Sequence, residues 1–439
     1  MLTHFIIFKE GKGMTQSIFY LDDIYGISRD LPLNYVEREY VDDTFRRNLN
    51  RKKHVTIFGS SKQGKTCLRK HCLKDDEYIL IQCNNRWSIS ELNANILKRA
   101  GYELTESTKT SMGGKAKLIA SIKATLGIGG ASVGSELEES HSRETTQRQL
   151  ELDIDDVNDV IAALSEIHFA QYIVLEDFHY LRQDVQKDFS IELKTFHENS
   201  DLCFIIVGVW LDENKLLIYN GDLTGRIVSV NADEWHPDDL RRVILEGQRL
   251  LNIEFDESFI NTLIAECFGN VYIVQEACHR ICEENSIYET QNDTCVIGRD
   301  RDVKELVQAI VREQSGRYNA FLSNYSCGFQ ETTLEMHKWL LYPILTASSD
   351  DLLRGLSYRF IRNTLESVHP RKQELNAGNV TQALKAVVSL QLFKSIQPII
   401  LDYDESNLML HVVDRGFIIW LNVQSKEDLF SAAGLPMPE

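Results

Sequence analysis

Two spacings of apolar residues alternate along this chain. Residues 55–58, 78–83 (YILIQC), 171–175 and 202–208 are short, largely β-branched apolar runs without a polar face. That is the pattern of parallel strands covered on both sides. Between them the apolar residues move to helical spacing. Residues 88–99 read as a helix with Ser88 as N-cap and Glu91 closing a capping box. Val157, Val160, Ile161, Leu164 and Ile167 share one helical face, residues 184–197 form another helix, and Pro237 opens a further one with acids in its first turn. Strand and helix in alternation predict an α/β fold around a parallel sheet.

Residues 105–150 interrupt this rhythm. Leu118, Ala120, Ile122, Ala124, Leu126 and Ile128 follow a period of two, and Gly129-Gly130 with Ala131 and Val133 come next. This predicts a β-hairpin inserted in the sheet domain, serving as a solvent loop, a flap or a subunit contact. Its small residues and glycines argue against a membrane-active hairpin. Helices are expected from Asp300 to about Leu345. Beyond residue 351 come helical stretches at 352–365 and 381–390, a strand over 392–400, a turn at Asp402-Tyr403-Asp404-Glu405 and a strand over 407–413, which is the order of a winged helix.

The domain expectation is therefore an N-terminal extension (1–30), a nucleotide domain (31–230) carrying the 105–150 insertion, a helical lid with linker helices (231–345), and a winged-helix-like unit (346–439). With 439 residues, two to three domains are expected from length alone. At 43% hydrophobic and 26% charged residues with only 7 prolines, the chain belongs with folded proteins. A net charge of −18 argues against broad attraction to nucleic acid or anionic membrane. Within it, Arg354, Arg359, Arg362, Arg371, Lys372, Lys385 and Lys394 stand against Glu366 and Glu374, a local +5. DNA contact and a protein-interaction surface are both open there. No run is apolar and long enough to span a bilayer and no secretory leader is visible, so a cytoplasmic location without membrane contact is expected. The nine cysteines are scattered, as buried free thiols are. Cys278, His279 and Cys282 lack a second ligand pair and read as core packing.

The chemistry centres on Gly59-Ser60-Ser61-Lys62-Gln63-Gly64-Lys65-Thr66, a full match to the phosphate-loop pattern between an apolar strand and a helix that continues from Cys67. The glycines let backbone N–H groups turn inward onto phosphates at a helix N-terminus. Lys65 would reach the β- and γ-phosphates and Thr66 would ligate Mg²⁺. Four apolar residues then lead into Glu176-Asp177. At the end of a central strand one carboxylate can hold Mg²⁺ and the next can orient the attacking water. By position Glu176 is the metal-side residue and Asp177 the water-side one, an order inverted from the usual Asp-Glu. Tyr35, Val36 and Arg38, ahead of the loop, are candidates for an adenine pocket. Arg226, before a short strand, is a candidate arginine finger for a neighbouring subunit. The strand that ends at Gly208-Val209-Trp210 shows no polar residue suited to sensing a γ-phosphate.

The order of phosphate loop, acidic strand, apolar strand, Gly-Arg and Trp235-His236-Pro237-Asp238-Asp239-Leu240 resembles the AAA+ ATPases of the origin-recognition and initiator type and the related STAND signalling ATPases. The resemblance covers roughly residues 30–290. It implies a P-loop NTPase domain, a helical lid in which Phe268-Gly269-Asn270-Val271 begins a helix near the nucleotide, and a C-terminal winged helix. A Gly-x-Pro is frequent there in STAND proteins; Val271 stands in place of the proline. The function expected is an ATP- and Mg²⁺-dependent switch with slow hydrolysis, a homo-oligomer that engages a protein partner or effector. Bacterial antiviral defence is the setting the STAND likeness implies; the alternative is a DNA-binding initiator or loader.

Overall fold

The computed structural model describes residues 17–27, 30–110, 116–122 and 148–438. Strands β1 (His54–Phe58), β2 (Tyr78–Gln82), β6 (Tyr172–Glu176), β7 (Phe204–Val207) and β8 (Ile227–Asn231) form one five-stranded sheet in the order β2-β6-β7-β1-β8. Every pairing in it is parallel. The interior strands β1 and β7 are buried at every position, as their continuous apolar runs require. β2 departs from the buried strand its sequence suggests. It lies at the sheet edge, and Tyr78, Ile79 and Leu80 are only half-buried.

Helices cover both faces. Val41, Phe45 and Leu68 pack with Val55, Ile57 and Val174 on one side, and Leu92, Val160, Phe189 and Phe196 pack with Ile173, Leu175 and Phe204 on the other. The Ser88 capping box forms as the sequence indicates, with the hydroxyl accepting from Glu91 N and the Glu91 carboxylate accepting from Ser88 N. The loops that carry Gly59 to Thr66, Glu176-Asp177, Gly208-Val209-Trp210 and Asp233 leave the carboxyl ends of β1, β6, β7 and β8, the edge where open α/β sheets bind ligands.

The period-two stretch forms a strand, but in a larger unit than a hairpin. β4 (Ala116–Ile122) lies between β3 (Glu103–Thr110) and β5 (Arg148–Leu152) in a separate antiparallel sheet. Ala120 and Leu152 tie this sheet to the core that holds Leu92, Val160 and Phe189. The expected turn at Gly129-Gly130 lies outside the described residues.

A third apolar core runs through the helices Pro237–Leu251, Glu257–Glu266 and Val271–Glu284, those of 303–346, and the C-terminal elements. The short parallel pair β9 (Ile253–Phe255) and β10 (Cys295–Ile297) belongs to it. Cys278 and Cys282 are fully buried there, which agrees with core packing. Leu21, Ile24 and Tyr25 also enter this core, and the Tyr25 hydroxyl donates to Ile244 O at 2.5 Å. The C-terminal sheet has the order β11-β13-β12, from β11 (Leu356–Ser357), β12 (Leu401–Asp404) and β13 (Met409–Val412). Here the sequence expectation needs three corrections. Residues 392–400 are not a strand, because the helix Val387–Phe393 runs into them and pairing with β13 begins only at Leu401 in β12. Residues 352–365 are not one helix, because Gly355 (φ +91°) breaks the chain into Ser349–Arg354, β11 and Tyr358–Val368. The acidic tetrad is not a turn either. Asp402 and Asp404 are buried in β12, because Asp402 meets Lys215 Nζ at 3.0 Å and Asp404 accepts from Ser406 N and Asn407 N. No helix among the described residues is long and apolar enough to cross a membrane.

Candidate functional site

The loop after β1 bends through two glycines in positive-φ backbone. Gly59 (φ +143°) passes so close to Asp233 that a Cβ would stand 2.9 Å from its backbone nitrogen. Gly64 (φ +81°) precedes the helix Lys65–Cys72. Lys65 folds back over the loop, its Nζ donating to Gly59 O at 3.0 Å and Ser60 O at 2.5 Å. Burial lowers its pKa to about 8, against the opposing pull of Asp233, Glu176 and Asp177. Ser60 donates from N (3.0 Å) and Oγ (2.9 Å) to Asp233. Ser61 N–H donates to Val413 O at 2.9 Å. The Lys62 ammonium lies 3.8 Å above the Tyr272 ring, and burial lowers its pKa. Gln63 reaches the lid, donating to Gly269 O at 3.3 Å, while its own carbonyl accepts from Trp235 Nε1 at 3.3 Å.

The acidic pair sits beside the start of the loop helix. Thr66 Oγ1 donates to Glu176 Oε1 at 3.3 Å, and Arg69 Nε stands 3.4 Å from Glu176 Oε2. Burial raises the Glu176 pKa, Arg69 opposes this, and the neighbouring Asp177 adds to it. Asp177 turns out of the strand through left-handed backbone (φ +57°) and accepts from Gln82 Nε2 at 2.6 Å. These residues fit a nucleotide with Mg²⁺. Lys65 is a half-buried cation bonded only to neutral carbonyls, Glu176 Oε2 is buried with no hydrogen-bond donor, and hydroxyl and carboxylate converge at Thr66 and Glu176.

Beside the loop opens a cavity of about 280 Å³ lined by Tyr35, Val36 and Arg38, by Lys62 to Cys67, and by lid residues. The three residues proposed from sequence have different tasks within it. Tyr35 donates to Asp42 at 2.6 Å and stacks on His71, with ring centroids 4.4 Å apart. Val36 packs into the lid core. Arg38 is buried, its guanidinium bonded to Ala232 O (2.9 Å) and Glu234 O (2.8 Å) under the Trp235 ring at 3.9 Å. Sequence reasoning missed Asn34, Trp235, Tyr272 and Gln275, which also line it. Asn34 and Gln275 exchange side-chain amide hydrogen bonds at 2.8 and 2.9 Å. Trp235 belongs to the Trp235 to Leu240 stretch that carries the resemblance, with no binding role assigned to it there; nothing in the local pattern marks Gln275. The helix Val271–Glu284 starts at this cavity with Asn270 as its cap.

Arg226 is not brought to the loop of its own chain. β8 pairs with β1 so that His54 faces Ile227 and Phe58 faces Asn231, which puts Arg226 at the opposite edge of the sheet, roughly 15 Å away. There it meets Glu198 at 2.7 Å. At the end of β7, Trp210 folds back so closely over Gly208 that a Cβ there would overlap its ring. The polar group nearest that strand end comes from elsewhere: His179 Nδ1 accepts from Val209 N at 3.2 Å, and its Nε2 has no partner.

No protein-family model and no curated protein matches the chain. Solved structures similar to it include the Walker-type ATPase of Pyrococcus abyssi, at 13% identity over 91% of this chain and 100% of that one, with a TM-score of 0.49. The Orc1 protein of Aeropyrum pernix, solved in complex with DNA, is 11% identical over 94% and 97% of the two chains, with a TM-score of 0.43. A STAND protein with a tetratricopeptide repeat sensor from Pyrococcus horikoshii is 10% identical, and the match spans 91% of this chain but 44% of that one, with a TM-score of 0.38. The likeness is one of fold alone.

Proposed function

We propose that this protein is an ATP-binding switch that hydrolyses slowly and changes its assembly or partner state with the nucleotide. One observation carries the reading: the C-terminal unit is fastened to the phosphate loop and the lid at the same time. Val413 O holds Ser61 N–H at 2.9 Å. Arg415 donates to Asp233 Oδ2 at 2.8 Å, the carboxylate that Ser60 also binds, and to Phe268 O of the lid at 2.7 Å. Any change at the loop is thus felt by a unit whose sequence lies more than three hundred residues away.

In this reading Lys65 and the loop N–H groups hold the phosphates, and the cavity of Tyr35, Trp235 and Tyr272 takes the base. Thr66 and Glu176 would hold Mg²⁺, which supplies charge to the phosphates when bound. Asp177 orients the attacking water, and Arg226 serves a neighbouring copy. We read 31–230, 231–345 and 346–439 as nucleotide domain, lid with linker helices, and winged helix, the last because a β11-β13-β12 sheet behind three helices has that topology. DNA binding has less support. Arg354, Arg362, Arg371 and Lys385 are paired with Asp351, Glu366, Glu374 and Glu405, so much of the local positive charge is neutralised within the chain. A defence role, the setting the resemblance implies, would appear as phage protection lost on Lys65→Ala.

The deciding measurement is mass in solution by light scattering with ATP, ADP or no nucleotide, on the native chain and on Arg415→Ala. A nucleotide-dependent mass is expected, with Arg415→Ala shifting toward the ATP form without ATP. Identical masses in every state, together with unchanged partner capture, would overturn the switch.

A further inference from the structure

We propose that Arg69 is a positioning residue for Glu176 and thereby sets how strongly Mg²⁺ supports nucleotide binding; the inference rests on the nucleotide reading above. Arg69 lies one turn beyond Lys65 on the loop helix and is 3% exposed. Its guanidinium stands 4.8 Å from the Tyr78 ring centroid, and its one ion pair among the described residues is with Glu176. A buried guanidinium is costly unless an acid faces it, so this pair is a requirement of the fold as well as of the site. The contact is not a closed hydrogen bond. Nε and Nη1 of Arg69 and Oε2 of Glu176 are all buried without a hydrogen-bond partner.

The two oxygens of Glu176 are therefore divided. Oε1 faces the Thr66 hydroxyl and Oε2 faces Arg69. The division depends on side-chain length. Glu carries one methylene more than Asp, so an Asp at the end of β6 would fall short of a guanidinium rooted on the loop helix. The inverted Glu-Asp order and Arg69 then belong together. The longer acid is drawn under the helix, and the arginine fixes its orientation beside Thr66. Partners that orient a ligating carboxylate in this way typically change metal affinity by about 10- to 100-fold when removed.

The test compares ATP affinity with Mg²⁺ and with a chelator, by calorimetry, for the native chain, Arg69→Met, Arg69→Lys, Glu176→Asp and the Arg69→Met/Glu176→Asp double variant. Arg69→Met is expected to remove about tenfold of the gain that Mg²⁺ confers while leaving Mg²⁺-free affinity within about twofold. Arg69→Lys should restore part of the gain, and the double variant should be no worse than Glu176→Asp alone. Equal losses with and without Mg²⁺ would assign Arg69 a purely structural role. Additive losses in the double variant would equally overturn the proposal. If Arg69→Met does not fold, Arg69→Lys and Glu176→Asp decide, since a shared path requires both to weaken the Mg²⁺ gain. Failure of the nucleotide reading itself shows separately, as ATP binding that survives Lys65→Ala.

Discussion

The two flanks of the phosphate loop are built differently. On the lid side, Tyr35, Val36, Trp235 and Tyr272 border an open cavity of about 280 Å³ beside the loop. On the strand side, most polar groups already have a partner from the chain itself: Lys65 on loop carbonyls, Ser60 on Asp233, Ser61 on Val413 and Asp177 on Gln82. In the proposed reading a base enters the first flank without rearranging it. Phosphates on the second must exchange existing hydrogen bonds for new ones. Each such exchange nets only about 0.5–1.5 kcal/mol, so the balance between the two sets of partners is easily tipped. That asymmetry suits a switch better than a fast motor, because the phosphate end is where the C-terminal unit is attached.

The sharpest way to break the comparison is at Lys65. Lys65→Ala removes the ammonium that lies on the Gly59 and Ser60 carbonyls, and ATP affinity is expected to fall about a hundredfold (~3 kcal/mol), as for the loss of a charged hydrogen-bonding group. Calorimetry checks it, and a loss under threefold would mean the phosphates bind elsewhere. Next in size is Tyr272→Ala on the other flank. It should weaken adenosine and ATP by about tenfold, within the ~1–3 kcal/mol range for an aromatic contact to a base. Inorganic tripolyphosphate should be unaffected in competition; equal weakening of both would show that the flanks are not separable.

The smallest effect is the dependence on pH. Free Lys65, with its pKa lowered from 10.5 to about 8, loses its proton as pH rises through 8, and an anionic phosphate restores it. Binding therefore takes up a proton above about pH 8, and affinity falls as pH climbs from there toward 10.5. Calorimetry in buffers of different ionisation enthalpy reads the uptake directly. Heats independent of buffer at pH 8.5 would show that Lys65 keeps its charge when free.

Much of the fold is legible in the local pattern. Residues 55–58 and 202–208 could be read as buried strands because central parallel strands need apolar residues on both faces, and residues 88–99 as a helix because its cap is made by neighbours in sequence. Edge position is not legible in this way, so β2 looked as buried as β1. Wherever a distant partner overrides local preference, the pattern misleads. Asp402-Tyr403-Asp404-Glu405 resembles a turn until Lys215 supplies a buried counter-charge. Gly355 looks like a residue inside a helix until β13 pairs with the chain beside it.

The sequence by itself determined the phosphate loop, the acidic pair at a strand end and the alternation that builds the sheet, since each depends on residues close together along the chain. Only the tertiary structure decided what those residues face. It put Arg69 against Glu176 and Gln82 against Asp177, closed a cavity beside the loop with Trp235, Tyr272 and Gln275, separated Arg226 from its own loop, and fastened Val413 and Arg415 to the loop side. The reason is physical. A loop's curvature is set by the backbone freedom of its own glycines, whereas the partner of a buried charge is whichever opposite charge the fold brings within a few ångströms.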